Sequence, residues 1–67
     1  MRYEIRVDGQ MSDELTTAFP ELDSFVVPRQ TVLYGQVKDD SQLYGLLVRF
    51  QSLGLRILEF RRLPEPE

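Results

Sequence analysis

The sequence predicts an α+β domain of βαββαβ order, with a four-stranded antiparallel sheet and two helices on one face. Three observations carry that expectation. The stretch Thr31–Leu63 reads as strand, cap, amphipathic helix, glycine stop, strand. Residues 2–7 alternate charged and apolar side chains without a break. The region between them holds a shorter version of the same plan, punctuated by Gly9, Pro20 and Pro28.

Residues 31–37 (Thr-Val-Leu-Tyr-Gly-Gln-Val) are rich in β-branched and aromatic side chains, which suit a pleated, half-buried strand. Lys38-Asp39-Asp40 interrupts it. Asp39 or Asp40 can accept from the free amides of a helix start, and Gln42 stands three residues after Asp39, as a capping box requires. Leu43, Leu46, Leu47, Phe50 and Leu53 then recur at helical spacing and form one apolar stripe. Gly54 suits the left-handed position past the helix end, and Leu55 can pack back on the last turn. Residues 55–63 form the last expected strand.

In the first half, Arg2-Tyr3-Glu4-Ile5-Arg6-Val7 has the period of a strand with one wet face. Asp8-Gly9 is turn chemistry. Ser12 is an N-cap, Asp13 and Glu14 complement the positive helix end, and Leu15, Ala18 and Phe19 give a short apolar stripe. Pro20 closes that helix. Residues 22–27 are a further strand, turned by Pro28-Arg29-Gln30 into the Thr31 strand.

This order has a common solution, the ferredoxin-like arrangement. A strand order of 4-1-3-2 makes the Tyr3 and Thr31 strands central, with one sheet face under the helices and the other open. Met1, Tyr3, Ile5 and Val7 then face the helices with Leu33, Gly35 and Val37, Gly35 letting a helix approach closely. On the last strand, Leu58 and Phe60 are expected inward, with Ile57, Glu59 and Arg61 outward. Leu15, Ala18, Phe19, Leu43, Leu46, Leu47 and Phe50 complete the expected core. The open face has Val32, Tyr34 and Ile57 as an apolar centre among Arg6 and Arg61, together with Glu4 and Glu59. These are the candidate interface residues, because aromatic and Arg side chains anchor interfaces.

A chain of 67 residues is one domain, expected over residues 1–63, with residues 64–67 (Pro-Glu-Pro-Glu) as a disordered acidic tail. A core this small is marginal alone, and with no Cys there are no disulfide staples, so the expectation is a non-catalytic interaction module that associates with a second chain, a homodimer or another protein, through its sheet face or an edge strand. No apolar run resembles a signal peptide, and no stretch approaches the roughly 20 apolar residues of a membrane span. The expectation is a cytoplasmic chain without membrane contact. A net charge of -3 argues against nucleic acid, since phosphate neutralisation needs a basic face.

The chain has no His and no Cys, which removes the commonest general base, the commonest metal ligand and all thiol chemistry. Helix capping accounts for Asp39-Asp40 without a hard metal or an acid–base pair. Arg61 and Arg62 point to opposite sides of a strand and form no clamp. There is no glycine-rich phosphate loop. The expectation is a chain that is not an enzyme and has no catalytic, metal or cofactor residues.

Residues 31–35, 43–47 and 53–64, with the pattern LxGLLxR…LGL and an Arg-Arg-Leu ending, resemble a set of short uncharacterised bacterial proteins. That resemblance covers about the last half of the chain and implies no activity. The element order also resembles ACT-type regulatory domains, which bind small effectors, often amino acids, at paired domains. That resemblance implies a ligand loop after the first strand, where Asp8-Gly9-Gln10 stands here.

Overall fold

The computed structural model describes residues 1–65. Its elements are β1 (Arg2–Asp8), α1 (Asp13–Thr16), β2 (Asp23–Val27), β3 (Gln30–Gln36), α2 (Asp40–Ser52) and β4 (Ile57–Leu63). The strands form one antiparallel sheet in the order β2-β3-β1-β4, which from the other edge is the expected 4-1-3-2. Strands β1 and β3 are central.

Period-two alternation divides the sheet cleanly in the middle. Ile5 pairs with Leu33 and Val7 with Thr31, and all four are buried on the helix side. Met11, Phe19, Val37, Leu46 and Phe50 complete that core, with Leu15, Ala18, Leu22, Leu43, Leu55 and Ile57 packed around it. The Phe19 and Phe50 rings stack at 4.2 Å between centroids. Arg49 then closes the contact from above, lying 5.4 Å over the Phe19 ring and donating to the Ala18 carbonyl and the Glu21 carboxylate.

The helices differ in length for local reasons. Asp39 accepts from the Gln42 amide at 2.9 Å, and the Gln42 side chain reaches back to the Lys38 amide at 2.6 Å. This is a capping box displaced by one residue. At the other end Gly54 has φ +72°, its amide donates to Gln51, and the Leu55 amide donates to Phe50. Those two bonds are a Schellman stop, and Leu55 supplies its apolar contact. The first helix is only four residues long. Ser12 caps it, but the Thr16 and Thr17 hydroxyls bond back to Asp13 and Glu14 carbonyls, which competes with helix propagation. Met11 and Phe19, which flank the helix, do the burying instead.

Two expectations are corrected, the facing of Ile57 and Leu58 and the element that meets the inward-facing Gly35. Between Arg6 and Val7 the β1–β4 ladder slips by one residue, so Val7 pairs with Ile57 while Arg6 pairs with Glu59. This bulge turns Ile57 onto the core and leaves Leu58 exposed, the reverse of simple alternation. The close approach at Gly35 is made by a loop rather than a helix. A Cβ there would lie 3.1 Å from the Glu21 carbonyl oxygen and 3.2 Å from Leu22 Cδ2. At the chain end, Glu65 pairs with the Met1 amino group at 3.2 Å and accepts from Gln36. The remainder of the expected tail, residues 66–67, lies outside the described residues.

Gly35→Ala should lower stability by about 1–3 kcal/mol, because backbone on the far side of the contact cannot yield easily. Gly45→Ala, on an exposed helix turn with nothing within 4 Å of the new methyl, should raise it by about 1 kcal/mol. Urea unfolding of the two variants measures both signs.

Candidate functional site

The sheet face away from the helices is not uniform. Its register sorts the side chains into two halves. Over β1 and β4, Glu4 stands opposite Arg61 and Arg6 opposite Glu59. Over β3 and β2, Val32 stands opposite Phe25 and Tyr34 opposite Asp23. One half is an alternating ion-pair quartet and the other an apolar patch.

The quartet centres on Glu4, whose side chain is only 11% exposed. Its oxygens take Arg6 Nε at 2.8 Å and Arg61 Nη2 at 3.2 Å, and Arg6 Nε also lies 3.6 Å from Glu59. Burial pushes the Glu4 carboxyl upward, but the hydrogen bonds and charges of Arg6 and Arg61 together outweigh it and hold the group below the usual carboxylate range. Its partners are half exposed, so the quartet is a lid of paired charges rather than an open charged surface. Two acids and two bases give the quartet no net charge.

The apolar half is built on Val32, which is 1% exposed although it faces away from the main core. Arg6 covers it from one side and Phe25 from the other, as their register requires. Phe25 remains 48% exposed and its ring meets Tyr34 at 5.8 Å, tilted by 59°. Partial cover of this kind leaves an aromatic edge in water.

Of the residues predicted for an interface, Val32, Tyr34, Arg6 and Arg61 share this face, and Ile57 does not. The sequence reading missed Phe25. The run Ser24-Phe25-Val26-Val27 does not alternate, so its facing cannot be read from pattern; only the pairing with Val32 assigns it.

The expected ligand loop, Asp8-Gly9-Gln10, lies at the far end of β1. The Gly9 amide donates to Arg29, and the Asp8 amide donates to Arg56. The Thr31 hydroxyl donates to the Gly9 carbonyl and accepts from the Met11 amide, each at 2.9 Å. The Asp8, Gly9 and Met11 amides and the Gly9 carbonyl are therefore occupied within the fold, while Asp8 and Gln10 are exposed. No cavity opens among the described residues. No helix of the described residues is long and apolar enough to cross a membrane.

The family model of a domain of unknown function, DUF8691, matches residues 2–61. No curated protein and no solved structure matches the chain.

Two outcomes follow from this geometry. Glu4→Gln should cost about 1–3 kcal/mol at neutral pH, since it leaves two guanidinium groups without their shared partner. The ionised carboxylate contributes stability above its ordinary value of about 4.5, and that contribution fades as pH falls through the lower folded value. The gap between wild type and variant should therefore close in acid, as thermal unfolding across pH would show. Thr31→Val should cost about 1–3 kcal/mol at all pH values, because the buried Met11 amide loses its acceptor.

Proposed function

The chain belongs to the DUF8691 family, and on that premise we propose that it is a non-catalytic protein-interaction module whose docking surface is the β2–β3 half of the open sheet face. The observation that carries this reading is the pairing of a buried Val32 with a half-exposed Phe25 and its Tyr34 neighbour. In a solvated sheet face those positions hold charged or hydroxylated side chains. Here they hold two aromatic rings and a valine, next to a neutralised ion-pair quartet. Aromatic anchors beside satisfied polar groups match the composition of interface centres. The neutral quartet discourages nucleic acid and other strongly charged partners.

The reading includes the expectation of a homodimer or a protein partner in the cytoplasm. The alternative, an amino-acid sensor of ACT type using Asp8, Gly9 and Gln10, gains no support from a loop whose Asp8 and Gly9 amides and Gly9 carbonyl are already bonded.

A photo-crosslinking phenylalanine analogue at Phe25, expressed in intact cells, should yield a discrete protein adduct. The same analogue at Val48, on the exposed side of α2, should not. A second charge introduced as Tyr34→Glu should reduce the Phe25 adduct at least tenfold. Equal adducts from both positions, or none from Phe25, would remove the sheet face from consideration.

A further inference from the structure

The two edges of the sheet are built differently. The β4 edge carries Glu59, Arg61 and Arg62 and is interrupted by the bulge near Ile57. Charges and bulges are the usual devices that stop an edge from pairing. The β2 edge has no bulge and almost no charge. Its one charge is Asp23 at the first position, and from Ser24 to Val27 it is uncharged, with Val26 51% exposed and Phe25 48% exposed on opposite faces of the strand.

The backbone parity of that edge follows from bonds across the sheet. The Val37 amide donates to Met1 and the Gly9 amide to Arg29, so odd-numbered residues of β1 bond toward β3; the Asp8 amide donates to Arg56, so even-numbered ones bond toward β4. Strand β3 then turns Thr31, Leu33 and Gly35 to β1, and Gln30, Val32 and Tyr34 to β2. Their partners on β2 are Val27, Phe25 and Asp23. Ser24 and Val26 therefore present their N–H and C=O groups to the free edge.

We infer that β2 pairs antiparallel with β2 of a second copy of this chain, across a two-fold axis at Phe25. This rests on the interaction reading above and names its partner. Among simple registers, only this one suits the residues. It sets Ser24 opposite Val26 of the other copy, twice, and each such pair exchanges both backbone bonds. Shifting the axis to Val26 would oppose Ser24 to Pro28, which has no N–H. Shifting it to Ser24 would move Leu22, outside the strand, into the ladder.

Charge supports the same geometry. Asp23 opens β2 and Arg29 follows its end, and neither has an ion-pair partner among the described residues. Antiparallel self-pairing brings the acidic start of each strand to the basic end of the other, and keeps the two Asp23 carboxylates at opposite ends. On the open face the two Phe25 side chains become a directly opposed, closely spaced pair. Each already touches its own Tyr34, so four rings run in one row across the axis. An isologous contact of this kind closes after two copies and does not propagate.

Light scattering over a wide concentration range should show wild type rising from 7.9 kDa toward twice that mass. Ser24→Pro removes only an outward N–H, which an edge strand tolerates, and should hold the chain at 7.9 kDa across the range with an unchanged circular dichroism spectrum. The chain has no native Cys, so a single Phe25→Cys should crosslink to a disulfide dimer under mild oxidation, and Tyr34→Cys should not. A wild-type chain that never leaves the single mass overturns the self-pairing. If the Phe25 adduct in cells is then a different protein, the interaction reading survives; if there is no adduct, both fail. A dimer unaffected by Ser24→Pro, with no Phe25→Cys crosslink, places self-association elsewhere and also overturns the proposal.

Discussion

Everything on the surface of this chain depends on the register of β1 against β3. Ile5 opposite Leu33 and Val7 opposite Thr31 put the apolar set of both central strands under the helices. A slip of one residue would send that set into water and bury Arg6 and Glu4 among hydrocarbons. The register is held at both ends. At one end the Thr31 hydroxyl grips the Gly9–Met11 loop, and at the other Gly35 lies flat under Glu21 and Leu22. A side chain at Gly35, or none that can hydrogen-bond at Thr31, loosens one end of the same lock.

With the register set, the outer face follows without further choice. Glu4 and Arg6 fall opposite Arg61 and Glu59 because β4 pairs with β1, and Val32 and Tyr34 fall opposite Phe25 and Asp23 because β2 pairs with β3. The division into a neutral ion-pair half and an aromatic half is thus a property of the sheet as a whole. The burial of Glu4 is tolerated because two guanidinium groups meet it directly. The near-complete burial of Val32 on an open face has no such polar explanation; its neighbours simply cover it, and Phe25 is left partly wet in doing so.

Much of this was legible in the residues. Strict alternation in β1, the Asp39 cap and the Gly54 stop each have one structural meaning, and each appears in the structure; of the expected α2 stripe, Leu43, Leu46 and Phe50 reach the core, Leu47 is not among the residues packed on it, and Leu53 is exposed. What was illegible has a common cause. Ile57-Leu58 and Phe25-Val26-Val27 are consecutive apolar residues, so a period of two cannot say which of them faces inward. At Ile57 a bulge decided it, and at Phe25 the pairing with Val32 did. Thr31 gave no signal beyond β-propensity, because a hydroxyl that braces a distant loop is visible only once the loop is folded over it. The expected helix contact at Gly35 proved to be a loop for a related reason: Thr16, Thr17 and Pro20 stop α1 early, and the chain returns to the sheet as coil.

The central claim is that the β2 edge is a pairing surface for a second copy, and amide hydrogen exchange reads it directly. The amides of Ser24 and Val26 should exchange rapidly in dilute protein and slow markedly as concentration rises. The outward amides of β4, Phe60 and Arg62, should exchange at the same rate throughout. Unchanged exchange at Ser24 and Val26, or concentration-dependent protection at Phe60 and Arg62 instead, would contradict the account.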